Sequence, residues 1–98
     1  MTEFKCLTKA SELYQEAKKV KLKAFMRDQL LRASTSVALN LSEGNARRTQ
    51  EDRRKFFNIA LASFRETQTI CDLENIAHLK PKLDELAAMI YALIRNMK

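Results

Sequence analysis

The chain has one glycine, one proline and no tryptophan in 98 residues. Hairpins and sandwiches need glycine and proline at their turns, so an all-β fold is excluded. Histidine is limited to His78 and cysteine to Cys6 and Cys71. The two cysteines lack CxxC or zinc-site spacing, which favours a reduced pair over a disulfide. No apolar run approaches the ~18 residues of a membrane span. The opening MTEFKCLTKASEL has no apolar signal-peptide core. These absences lead to the expectation of a soluble, cytoplasmic chain without a membrane partner.

What remains is rich in Ala, Leu, Lys, Arg, Glu and Met, the composition of an all-helical domain. Residues 1–98 suffice for one domain with a modest core. Four helices are expected. The first covers 3–20, with Cys6, Ala10, Leu13, Ala17 and Val20 as its seam. A lysine-rich stretch, KKVKLKAFMRD, follows, and the turn is expected at 21–25. The second helix covers 26–44, with Gly44 and Asn45 closing its C-terminus. Thr49 caps the third, with Asp52 three residues on. This helix is expected over 50–77 and is apolar on several sides: Ile59 to Ala77, Phe56 to Ile70, and Phe57 to Cys71. Pro81 opens the fourth, which ends near residue 97. Short connections make neighbours antiparallel, giving an up-down-up-down four-helix bundle. The surplus apolar stripes of helices three and four favour self-association; alternatively, the third helix is simply the central one.

The second helix carries an unusual polar stripe. Gln29, Ser36, Asn40 and Glu43 run beside the apolar positions Leu30, Ala33, Val37 and Leu41. Short polar groups beside a core need partners on another helix or another subunit; otherwise the stripe is a solvated face. A network of Gln29, Arg32, Ser36, Asn40, Glu43, Ser63 and Glu66, with Arg32 or Arg47 as counter-charge, is the expected arrangement. A catalytic Glu43–Glu66 pair is the weaker reading. A metal pair from Glu74 and His78 offers only two ligands, and His78 reads more simply as a helix-end histidine. The chain is therefore expected to be no enzyme and to need no metal or cofactor.

The run from Asp28 to Gln68 resembles the four-helix bundle proteins first noticed in intervening sequences of bacterial 23S rRNA genes. The resemblance is carried by Gln29, Arg32, Ala33, Ser36, Val37, Asn40, Leu41, Glu43 and Gly44. It continues through Arg47, Arg48 and Thr49 to Phe56, Ile59, Ala60, Ser63 and Glu66. Ser42, Ala62 and Ala24 depart from the family's pattern, the last standing where a proline often marks the first turn. The resemblance implies an antiparallel four-helix bundle with relatives that form homopentameric rings, hence a homo-oligomer. It also implies kinship with the accessory protein of diversity-generating retroelements, a basic pentamer that works with a reverse transcriptase and nucleic acid. A protein partner of that kind is a corresponding expectation.

Folding the charges into such a bundle separates them. One end gathers Lys5, Lys9, Arg47, Arg48, Arg53, Arg54, Lys55, Arg95 and Lys98 against Glu3, Glu43, Glu51 and Asp52, a balance of +5. The other end holds seven cations against six acids, a balance of +1. Arg47, Arg48, Arg53, Arg54 and Lys55 are thus the candidate phosphate-binding residues, for RNA or DNA without sequence readout. Phe56 and Phe57 belong to the core in this reading, so base stacking is not expected. The competing readings are a merely solvated basic end and a scaffold that binds protein alone.

Overall fold

The computed structural model describes residues 2–97, with side chains from Lys5 to Met97. Four helices form it: α1 (Thr2–Lys18), α2 (Ala24–Ala46), α3 (Gln50–Leu73) and α4 (Lys80–Arg95), with a 3-10 turn at Ala77–Leu79 before α4. No strand occurs among the described residues. Each helix packs on two neighbours in the order α1, α2, α3, α4 and back to α1. Residue pairs descend on α2 as they climb on α3, with Arg32 against Glu66, Ser36 against Ser63 and Gly44 against Phe57, so this pair is antiparallel. Lys9 with Glu85 and Glu12 with Lys82 give the same sense to α1 and α4.

The buried seams follow helical spacing: Cys6, Ala10, Leu13 and Ala17 on α1, and Leu83, Leu86, Ile90 and Leu93 on α4. On α3 the competition between stripes goes to the phenyl rings. Phe57, Ala60, Phe64, Thr67, Ile70 and Cys71 are buried, while Ile59 and Leu73 lie in the open. Two phenyl rings bury more apolar area than the aliphatic stripe beside them. The core polar groups are satisfied locally. The Ser34 hydroxyl donates to the Leu30 carbonyl at 2.8 Å, and the Thr67 hydroxyl to the Ser63 carbonyl at 2.9 Å.

Three boundaries differ from expectation. The first turn lies at residues 19–23 rather than 21–25, so Ala24 occupies the first position of α2. α3 stops at Leu73 rather than near 77, because Asn75 takes a left-handed φ of 56°. The Ile76 amide then reaches the Cys71 carbonyl at 2.9 Å and the Asn75 amide reaches that of Asp72 at 3.3 Å, the double closure that ends many helices. Glu74 and His78 therefore share no helix. The third difference is Gly44, which terminates nothing. It is buried inside α2 without a positive φ, and the helix runs on to Ala46 and is capped at Arg47.

Gly44 has a steric role instead. A Cβ built on it falls 2.6 Å from Phe57 Cε1, 2.7 Å from Phe57 Cδ1 and 3.2 Å from Phe56 Cβ. The absent side chain is what lets the α3 aromatics press against the α2 backbone. Thr49 fixes the start of α3, its hydroxyl accepting the Asp52 amide at 3.1 Å. Gly44→Ala should lose stability. Alanine gains ~1 kcal/mol of helix propensity, but overpacking a fully buried ring costs ~1–3 kcal/mol. Urea denaturation should place it below Asn45→Ala, a change at the exposed neighbour. A Gly44→Ala variant as stable as the parent would mean that Phe57 moves aside freely.

Candidate nucleic-acid interface and the polar seam

The α2–α3 connection is only three residues long, so the end of α2 and the start of α3 carry their basic side chains side by side. These side chains do different things. Arg47 swings back over its own helix, with Nη2 at 2.7 Å from Glu43 Oε2 and its guanidinium 4.7 Å from the centre of the Phe56 ring. Lys55 Nζ lies 5.9 Å from the same ring centre. Phe56 is half-buried rather than core, and two cations flank its π system. Arg53 turns inward. Its Nη1 donates to the Asn45 carbonyl at 3.2 Å and approaches that of Arg47 at 3.5 Å, while its guanidinium lies 5.6 Å from the Phe57 ring centre. It closes the end of α2, whose last carbonyls have no helical partner. Arg48 is exposed, Arg54 half-buried.

The basic end is smaller than the sequence implied. Lys9 sits mid-bundle, 3.5 Å from Glu12 and 3.4 Å from Glu85, and these carboxylates raise its pKa. The side chain of Glu3 and all of Lys98 lie outside the described residues. Lys5, Arg47, Arg48, Arg53, Arg54, Lys55 and Arg95 against Glu43, Glu51 and Asp52 leave a balance of +4, seven cations less three acids.

The polar stripe forms a ladder along the outer seam of α2 and α3. At one end Arg32 donates to Gln29 at 2.9 Å and pairs with Glu66. In the middle the Ser36 and Ser63 hydroxyls meet at 2.7 Å, and Asn40 Nδ2 donates to the Ser36 carbonyl at 2.9 Å and hydroxyl at 3.1 Å. Glu43 with Arg47 forms the last rung. Ser36, Asn40, Ser63 and Glu66 are half-buried, and Arg32 and Glu43 exposed. Glu43 and Glu66 thus stand at opposite ends of the ladder, each with its own arginine, and form no carboxylate pair. Among the described residues no three His, Cys, Asp or Glu side chains gather to hold a metal. Cys6 and Cys71 are buried and in no disulfide, and burial pushes the Cys71 thiol up to about 11, which keeps it protonated at neutral pH.

Two features escaped the sequence. Phe56 and Phe57 are adjacent, ~100° apart around a helix, so only one can face the core. Nothing local says which, and the choice follows from Gly44. Leu39 is 63% exposed on α2, although it sits in an apolar run.

The ladder sets unequal sensitivities. Asn40→Ala strips a half-buried layer of three hydrogen-bonding groups and should cost ~1 kcal/mol. Ser63→Ala should cost a similar amount. Glu43→Ala removes an exposed pair within one helix and should stay within ~0.5 kcal/mol. Chemical denaturation of the three variants checks the order, and a Glu43 cost above that of Asn40 would contradict this geometry.

The family model described as 23S rRNA-intervening sequence protein matches residues 3–92. No curated protein matches the chain, and no solved structure does.

Proposed function

The chain belongs to the 23S rRNA-intervening sequence protein family, and from that footing we propose that it is a non-enzymatic, cytoplasmic scaffold that binds RNA or DNA at the α2–α3 end. The observation that supports this most is the convergence of Arg47 and Lys55 on one half-buried phenyl ring. Arg48 and Arg54 extend the same cationic surface. Phosphates are the polyanion such a surface suits, through charge rather than base identity. Arg53 serves the fold of the turn and is not a ligand in this reading.

Self-association completes the proposal. The surplus apolar positions of α3 and α4 expected to mediate it, Ile59, Leu73 and Tyr91, lie in the open. α2 adds a further open apolar position, Leu39, which lies between two shallow grooves. Ser11, Tyr14, Gln15, Leu31, Thr35 and Ala38 line them with Leu39, and only Arg32 at the edge carries charge. Copies of a chain at +6 repel one another, least across an uncharged face. A second copy is therefore the occupant of this face, and a homopentameric ring is the assembly that the family resemblance implies. Such a ring multiplies the basic end around one rim. The same face favours the second reading, a scaffold that binds protein such as a reverse transcriptase without nucleic acid.

Two measurements test the proposal. Light scattering after size exclusion should give several times the 11.3 kDa chain mass, and Leu39→Glu should reduce it. A parent that runs as a monomer would remove the ring. Binding to a labelled single-stranded RNA should fall linearly on a log–log salt plot, with a slope of about −0.7 per phosphate contacted. Changing Arg47, Arg48 and Arg54 to Gln should flatten that slope, whereas changing Lys18, Lys19 and Lys21 should do much less. If the two triples behave alike, or nothing binds at low salt, the protein-scaffold reading replaces this one.

A further inference from the structure

The end of the molecule opposite the basic rim carries a feature that nucleic-acid binding leaves unused. Residues 18–27 read KKVKLKAFMR, with five cations and no acid. Residues 19–23 form a strap between α1 and α2 that starts as a turn, with the Lys19 amide 3.1 Å from the Glu16 carbonyl, and ends extended at Lys23, and exposure alternates along it. Val20 and Leu22 pack against the core, and Met26 joins them from the first turn of α2. Lys19, Lys21 and Lys23 therefore all face outward. Lys21 and Lys23 thus stand side by side on the outer side of the strap, with Lys19 on the turn before them. The strap is held in place, since Arg27 Nη2 donates to the Lys18 carbonyl at 3.1 Å and the Arg27 amide to the Lys23 carbonyl at 2.9 Å. Lys19 is paired with Glu16 at 3.0 Å, which leaves Lys21 and Lys23 as the leading charges of the strap.

Beside these lysines stands Phe25, 70% exposed, the most exposed large apolar side chain among the described residues. The next is Leu73, at 67%. The register that sets Arg32 against Glu66 and Ser36 against Ser63 brings position 25 of α2 opposite position 73 of α3. The two most exposed apolar groups thus sit across from each other at one end of the bundle, beside the lysines of the strap. Asp28, Asp72 and Glu74 share that end, so charge alone gives weak attraction there and apolar contact must add to it.

We propose that the Lys21–Lys23 strap and the Phe25–Leu73 pair form a docking surface for an anionic lipid bilayer, with the apolar tips entering the interface and the lysines meeting the headgroups. Bilayer-surface binding combines buried apolar area with attraction to anionic lipid, and this end supplies both. An aliphatic tip paired with an aromatic one fits an acyl boundary better than a base stack. No helix of the described residues is long and apolar enough to cross a membrane, and surface attachment requires none.

Sedimentation of the full chain with vesicles tests this, using phosphatidylcholine with and without phosphatidylglycerol. The chain should bind the mixed vesicles and not the pure ones. Lys21→Gln with Lys23→Gln should lower partitioning about 25-fold, from roughly fivefold per lysine. Phe25→Ala, at an exposed site where folding is insensitive, should lower it about tenfold. The Arg47, Arg48 and Arg54 triple should leave vesicle binding unchanged, which separates this surface from the rim. Equal binding to both vesicle types, no effect of Phe25→Ala, or equal loss from the rim triple would overturn the proposal. So would loss of RNA binding in the Lys21 and Lys23 variant, which would make the strap a nucleic-acid element.

Discussion

The fold depends on the approach of α3 to the bare backbone at Gly44. With no Cβ there, the Phe57 ring settles against α2, which decides which of two adjacent phenylalanines is core. Phe57 inside puts Phe56 at the surface, and only at the surface can Phe56 gather Arg47 and Lys55. The same rotation of α3 brings Ser63 and Glu66 to the outer seam, where they meet Ser36 and Arg32. One missing methyl group thus sets the core, the ladder and the basic surface together. In a close-packed interior a single close contact fixes the rotation of a whole helix.

Much of this was legible in the residues, and the failures share a cause. Seams with one apolar stripe, such as Cys6 to Ala17 on α1 and Leu83 to Leu93 on α4, could be read because periodicity leaves one choice. The Thr49 cap was also legible, since its donor lies three residues away. α3 was not, because three apolar stripes compete and the decision lies on α2. Gly44 was misread because a glycine near a helix end suits a cap as well as a close crossing. Asn75 was missed because Ile76 and Ala77 continue the apolar rhythm past the point where the backbone turns left-handed.

Within the candidate site, the residue types were legible and their allegiances were not. Five basic residues in nine positions are plain in the sequence, but only the folded turn separates Arg53, bound to backbone carbonyls, from Arg47 and Lys55, held over a ring. Glu43 is a similar case. Its helical position matches that of Asn40, yet it lies one turn further along, where the α2–α3 seam opens to solvent, and it answers to Arg47 rather than to the hydroxyl layer.

The two long seams of the bundle are fastened differently. Between α2 and α3 a sterically keyed crossing and a half-buried hydroxyl layer, both insensitive to ionic strength, are joined by an ion pair, Arg32 with Glu66. Between α1 and α4, the polar part of the join is Lys9 with Glu85 and Lys82 with Glu12, ion pairs largely open to water. Salt screens the ion pairs of both joins and leaves the close crossing and the hydroxyl layer alone. The α2–α3 hairpin is accordingly the most tightly joined part of the bundle, and the α1–α4 seam that closes it leans more on ion pairs. The last region to open is then expected to be the α2–α3 hairpin, with the α1–α4 seam opening more readily as salt rises.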